Sequence, residues 1–453
     1  MTSSVSGSRI AVVGGGIAGL GAAHRLAASH RVTLFEAGDY VGGHTRTVEA
    51  TVGGITHPVD TGFLVFNERT YPNLIALFEA LDVPTAGSDM SFSVSVGPHD
   101  FEWCGSTVAS LFAQPSNALS PAFWSMIKDL LRFNREATAL AHDPTRADDA
   151  AVPLGAWLDA NRYGRPFRDG YLLPMAAAIW SCPTATMLAF PVGSFARFCD
   201  NHGLLQIANR PRWFTVRGGA RQYVEKIVAG LSDVRISTPV RGVLRASGDS
   251  PHGMRGPVTV ITDHGRETFD HVVLACHSDQ SKAMLLDASD AEREILGAVP
   301  YQPNRAYLHT DLALMPKRRR AWAAWNYLSA GRFGASGARG TDESASVAVT
   351  YWLNALQPLP FDRPVLVTLN PLSPPREDQT LGVFDYSHPV FDTGAIDAQR
   401  RLDTIQGVRN TWFAGAWTGW GFHEDGLKSG LAVAGGIAAR VATAAGPALA
   451  AAA

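Results

Sequence analysis

Gly14, Gly16 and Gly19 stand in the spacing G-x-G-x-x-G, and Glu36 follows them as the next acidic residue. This set suits the pyrophosphate and ribose of an adenine dinucleotide. The first glycine permits a tight turn, the second admits phosphates against the backbone, and the third lets a helix close on a strand. Ile17 and Ala18 open that helix, where free N–H groups and the helix dipole favour negative charge. Glu36 is placed to accept hydrogen bonds from ribose hydroxyls and would repel a 2′-phosphate. Spacing reveals no Ser-His-Asp set. Cys104, Cys182, Cys199 and Cys276 show no metal-binding pattern, so no metal is expected.

The elements that must position these residues are legible around them. Ile10–Val13 is apolar and mostly β-branched, which predicts a strand buried on both faces. A helix is expected over 17–29 and a second strand over 32–35. The chain has 453 residues, enough for two or more core-bearing domains, and a net charge of −2, which argues against a global preference for nucleic acid. No window holds eighteen uninterrupted apolar residues, so no spanning helix is expected. Scattered thiols fit a reducing cytoplasm. Residues 1–8 read as a small polar leader and 446–453 as a frayed alanine-rich tail.

Gly42-Gly43-His44, a second glycine turn shortly after Glu36, resembles the turn of the flavin amine oxidase superfamily. The resemblance implies FAD as cofactor and an α/β, amine oxidase-like fold. A discontinuous Rossmann-type FAD-binding domain would take residues 1–70, 210–299 and 395–445. An inserted mixed α+β substrate domain would take 71–209 and 300–394. It further implies that Asp60, Thr61, Gly62 and Phe63 lie near the flavin ring. Val240, ending a strand, would meet the adenine with its backbone. Gly415 would lie at the phosphates or ribityl chain, and Gly426 and Leu427 would start a helix facing flavin O2. On the strand Asn304–Asp311, Arg305 takes the place of a lysine that many amine oxidases set near flavin N5. Three residues depart from the family pattern: His44 for arginine, Arg305 for lysine, and Ala416 for the usual acid. The 415–430 loop has no cysteine, so a cysteinyl-flavin link is not expected.

Elsewhere a hairpin is expected over 48–59, a helix over 71–81, strands over 91–96 and 101–103, and a helix over 121–142. Phe123, Trp124, Ile127, Leu130, Leu131 and Phe133 give that last helix an apolar face, suited to core packing or to lipid contact. Tyr171–Phe198 is nearly uncharged, mixing small and bulky residues, as in the wall of an apolar ligand tunnel or a plain core. Further strands are expected over 258–262, 271–276, 346–353 and 365–369. Lys317–Arg320 beside Trp322 and Trp325 suits either an anionic membrane surface or a solvated loop. Candidates near the reacting centre are His44, Arg305, His309, Trp420, Phe422, His423 and Glu424. Arg305, His423 and Glu424 are the catalytic candidates, with His423 or Glu424 as a base.

The segments GFLVFNERTYPNL, SDMSFSVS, LLPMAAAIWSCP and NHGLL…NRPRWFTVRGGAR resemble one branch of that superfamily. The branch includes the flavin domain of plant cyclopropane fatty acid synthases and a bacterial furan fatty acid desaturase flavoprotein. This resemblance implies an FAD-dependent oxidoreductase that desaturates a modified or unsaturated fatty acyl chain, in a phospholipid. Flavin amine oxidase and non-catalytic FAD-bearing partner of a lipid methyltransferase remain alternatives. The expected location is cytoplasmic, at the inner membrane face.

Overall fold

The structure, a computed structural model, describes residues 7–97, 100–143, 145, 151–206, 209–246, 256–330, 333 and 348–445. The expected leader lies largely outside these residues and the expected tail wholly so. Five short strands form a parallel sheet in the order Asp233–Arg235, Arg31–Phe35, Arg9–Val13, His271–Leu274 and Thr411–Phe413. Ile10, Ala11 and Val12 are wholly buried because both faces of this sheet are covered. On one face lie α1 (Ile17–Ala27) and the long final helix, here α4 (His423–Ala445). They approach closely through glycine: a Cβ on Gly430 would stand 2.1 Å from the Ala18 carbonyl oxygen, and one on Gly21 2.5 Å from Leu427. An antiparallel layer of Val240–Arg245, Val258–Thr262 and Gly265–Phe269 covers the other face.

The second body is a seven-stranded sheet ordered Thr380–Pro389, Tyr301–His309, Leu366–Leu369, Ala348–Trp352, Trp325–Ser329, Phe92–Val96 and Phe101–Cys104. Its pairs are antiparallel except Trp325–Ser329 with Phe92–Val96. Helices pack over it, chiefly α3 (Pro121–His142), Leu173–Trp180 and Val192–Asn201, around Phe133, Phe167, Phe195 and Phe198. The helix α2 (Pro72–Ala80) packs against α4.

Buried Asp60 joins the two bodies. Its carboxylate accepts hydrogen bonds from the Thr47 hydroxyl, the Ala220 amide and the Gln357 side chain. The hairpin Thr47–Val52 and Ile55–Asp60, the turn before the helix Arg221–Ala229, and the end of the short helix Leu353–Leu356 that follows a strand of the large sheet thus meet at one carboxylate.

Most expected elements are present, several with the expected bounds. One boundary is corrected: the strand expected to end at Val240 ends at Arg235, and Val240 begins the next strand. Thr380–Pro389 forms an edge strand whose composition hides it. It carries Gly382, Asp385, Ser387 and Pro389, residues tolerated at an edge where one side needs no ladder partner.

Burial lowers the pKa of His202, His271, His309 and His388 to about 4 and that of His423 to about 3. Unfolded histidines titrate near ~6.5, so this stability is complete above that pH and is lost as pH falls toward the folded values. Asp60 and Asp425, raised by burial to about 6, act in the opposite sense from about pH 6 downward, over most of the window. The histidines outnumber them. The thermal midpoint is therefore expected to drop steeply as pH falls from about 6.5 to about 4.5, with a slope of about 1.4 kcal/mol per pH unit for each net proton. A midpoint flat across that range in a pH series of melting curves contradicts the assignment.

Candidate functional site

A single continuous cavity of about 980 Å³ runs from the first glycine turn to α3. One end is formed by Gly14–Ala18, Glu36, Val240 and Gly415; the other by Met90, Trp103, Ile127, Met175 and Trp180.

The dinucleotide end is shaped for FAD. Gly14 has φ +107°, and a Cβ there would stand 2.7 Å from the Ala275 carbonyl oxygen. A Cβ on Gly16 would meet nothing within 4 Å, so the backbone there lies open to a close-approaching ligand. A Cβ on Gly19 would strike the Gly14 carbonyl oxygen at 1.9 Å, the helix-on-strand contact that the third glycine permits. The two glycine turns fit together: the Gly42 amide donates to the Gly15 carbonyl at 2.9 Å, and Gly43 packs on Gly16. Glu36 is fixed by the amides of Gly15 and Gly38, each at 2.7 Å. His44 presents a shielded Nε2 that has no hydrogen-bond partner. Its ring is faced by Tyr386, His388 and His277, and desolvation with neighbouring histidines holds its pKa well below the usual value. The imidazole is therefore neutral where the family pattern has a charged arginine. Phosphate charge must be met by the N-terminus of α1 and by neutral donors.

Thr61, Gly62 and Phe63 line the cavity with Trp420, Phe422 and His423. Phe63 stacks on His423 at 3.8 Å between ring centroids. His423 Nε2 is hydrogen-bonded to the Tyr223 hydroxyl at 2.8 Å and to Thr45 at 3.1 Å. With this nitrogen engaged by two hydroxyls, His423 holds the wall in place and, unlike a histidine with a free ring nitrogen, has no Nε2 lone pair left open to the cavity. Asp60 lies behind the wall in the joint described above.

Other site expectations are corrected by placement. Glu424 is turned away from the cavity and caps α2: its oxygens accept from the Asn73 amide and side chain and from the Leu74 amide, at 2.6 to 3.0 Å. Arg305 is exposed, paired with Asp385 at 2.8 Å beside a surface pocket of about 570 Å³ that adjoins the main cavity through His44, His277 and Tyr386 but is open to solvent where Arg305 lies. Along its strand Asn304 and Ala306 are buried and Arg305 points out, as the two-residue period requires. His309 is buried in the sheet against Thr368 at 2.7 Å and does not line the cavity. Gly426 and Leu427 also lie off the cavity, packed on Ile17 and Gly21; the first residue of α4 facing it is His423.

The far half of the cavity is walled by Tyr171, Met175, Ile179, Trp180 and Phe198 from the uncharged segment, with Trp325 and Tyr351 opposite. Among the described lining residues Glu36, at the dinucleotide end, is the only carboxylate. Several polar residues of the far half escaped sequence reasoning, Arg210 and His202 among them. Arg210 lines one side. His202 stacks on Phe198 at 4.0 Å, and its Nδ1 is 3.0 Å from the Phe198 carbonyl. A carbonyl only accepts, so Nδ1 carries the proton and Nε2 bears a lone pair. The sole available signal was an isolated histidine in the segment NHGLL.

In the basic loop, Arg318 pairs with buried Glu102 and Arg319 lies over Trp322 and Trp352. Trp325 turns into the cavity.

The model of a family described as flavin containing amine oxidoreductase matches residues 17–318. No curated protein matches the chain. Among solved structures, a putrescine oxidase variant is 18% identical over 96% of this chain and 99% of its own, with a TM-score of 0.69. A CLA-producing fatty acid isomerase from P. acnes is 15% identical over 95% and 98%, with a TM-score of 0.64. Cyclohexylamine oxidase from Brevibacterium oxydans is 15% identical over 96% and 99%, with a TM-score of 0.67.

Two outcomes follow from the geometry. Gly16→Val is expected to fold with a near-normal melting temperature yet bind FAD at least tenfold more weakly, whereas Gly19→Ala should be destabilised outright; fluorescence titration of apoprotein and melting curves separate the two. Glu424→Ala should lose about 3 kcal/mol of stability, the scale for buried charged hydrogen bonds, while its rate of flavin reduction stays within a few-fold of the parent. A loss of several orders in that rate would restore Glu424 as a base.

Proposed function

We propose, from the premise that the chain belongs to the flavin-containing amine oxidoreductase family, that this FAD-dependent oxidoreductase dehydrogenates a fatty acyl chain. The observation that carries the reading is the far half of the cavity: broadly apolar, lined by aromatic and aliphatic side chains, and without a carboxylate among its described lining residues. A protonated amine taken there would lose hydration with no anionic partner, a cost of several kcal/mol. An acyl chain would be favoured by about 0.8 kcal/mol for each methylene removed from water.

FAD, when bound, supplies the hydride-accepting centre. The chain's own residues do the rest. The Gly14–Gly19 turn and the N-terminus of α1 hold the diphosphate, and Glu36 takes the ribose. Phe63 stacked on His423, with Trp420 and Phe422, forms the wall against which the reacting segment of the substrate lies. Met175, Trp180 and Phe198 exclude water from it. Dehydrogenation also releases a proton. His202 Nε2 is the neutral nitrogen with an unshared pair in the far half of the wall, and it takes that role here. Arg210, the cation on the same wall, suits a carboxylate or phosphate head group.

A second reading, amine oxidation, is favoured by one feature: Trp180, Trp420 and Phe422 line the cavity, and aromatic rings attract cations. Anaerobic addition of dispersed phospholipids, then of simple amines, with the flavin absorbance followed, decides between them. Bleaching by the lipids alone is expected. Bleaching by amines alone transfers the assignment to amine oxidation, and bleaching by neither leaves the FAD-bearing partner of a lipid methyltransferase as the function.

A further inference from the structure

Four of the residues that line the far half of the cavity are also exposed: Arg210 and, near one another, Gly105, Ser106 and Leu131. The last three mark an opening beside α3. Around it the surface has an unusual composition. The outward stripe of α3 reads Trp124, Lys128, Leu131 and Arg135, at the three- and four-residue steps of one helical face. Trp124 and Leu131 are each 50% exposed, and next to them Leu119 is 88% and Val108 75% exposed. Large apolar side chains this open, gathered at a cavity mouth, are not explained by packing.

The charge on this face has one sign. The one-turn helix Val108–Leu111 packs against Arg319–Ala321, which brings exposed Lys317, Arg319 and Arg320 beside the apolar group. The acids close by are engaged inward. Glu102 is buried and holds Arg318 and the amides of Lys317 and Arg318; Asp129 holds Arg132 and the Gly164 amide. Glu136 accepts from the Tyr163 hydroxyl at 2.6 Å and stands 3.9 Å from Arg135. What faces outward is a set of exposed apolar side chains ringed by lysine and arginine. That is the composition of a surface that seats a few ångströms into the headgroup layer of an anionic bilayer. Among the described residues no helix is long and apolar enough to cross a membrane, so contact by this face is peripheral.

We infer that the mouth of the cavity beside α3 docks on an anionic phospholipid surface, so that an acyl chain enters from the bilayer without crossing water. This rests on the acyl reading above for its purpose, but the docking face stands on exposure and charge. It also relocates the contact expected from Lys317–Arg320 and its tryptophans: Trp325 serves the cavity, and the exposed tryptophan of the surface is Trp124.

The test uses the yellow holoprotein and flotation with vesicles of phosphatidylcholine, with or without phosphatidylglycerol. Two double variants are compared, Leu119→Ser with Trp124→Ser, and Lys128→Gln with Arg135→Gln. All four side chains are exposed and none lines the cavity. Retained flavin and melting temperature verify folding. The parent should float with phosphatidylglycerol vesicles and not with phosphatidylcholine alone. Loss of the two cations should weaken binding about 30-fold, and loss of the two anchors should weaken it at least tenfold. Variants that float like the parent, a parent that floats equally with both vesicles, or one that floats with neither would each overturn the proposal. Flavin bleaching by detergent-dispersed lipid, measured in parallel, keeps the two readings apart. Bleaching without flotation removes the docking face and leaves the acyl reading; flotation without bleaching does the reverse.

Discussion

The close approach of α1 and α4 through Gly21 and Gly430 is the contact on which the cofactor cleft depends. It brings the chain's last long helix against its first. Three consequences follow from that single packing. The Gly415 turn before α4 is drawn beside the Gly14–Gly16 turn, closing the phosphate end of the cavity. His423, at the head of α4, is carried to Phe63 and fixed by Thr45 and Tyr223. Glu424 reaches the unsatisfied amides at the start of α2, where Tyr71 provides no side-chain cap. A side chain at Gly430 would strike the Ala18 backbone and push the helices apart, undoing all three, whereas one at Gly21 would first have to displace the Leu427 side chain.

Apart from Glu36 and Arg210, the described lining of the cavity is built from neutral groups. Histidines at its dinucleotide end are kept uncharged by burial and by one another, so an incoming diphosphate meets helix amides and hydrogen-bond donors in place of a fixed guanidinium. The far half carries no carboxylate among its described residues. The two halves thus make opposite demands, anion-binding backbone at one end and desolvated hydrocarbon at the other, and the Thr61–Phe63 segment lies on the wall they share.

What the sequence made legible was local. The glycine spacings, the hairpin over residues 47–60 and the span of α3 are set by neighbours within a few residues, and these agree with the structure. What escaped depends on partners far along the chain. Glu424 looked free to act as a base because its partners, Asn73 and Leu74, lie some 350 positions away. Arg305 sits on the expected strand, but its outward direction follows from pairing with Thr380–Pro389, an edge strand too polar to announce itself. His202 carried no motif at all; its protonation state follows from a carbonyl one helical turn back.

The helix α3 shows why composition alone left core packing and lipid contact undecided. Both describe it, on different faces. Phe123, Met126, Phe133, Ala137 and Leu140 are buried in the core. Ile127, Leu130 and Asn134 turn toward the cavity, and Trp124, Lys128 and Arg135 turn outward, with Leu131 at the edge between the last two. A helix with 3.6 residues per turn can serve three surroundings in this way only if its apolar residues spread well beyond one stripe. The broad apolar face seen in the sequence is therefore the sum of two narrower ones, and the cavity opens along the line where they meet.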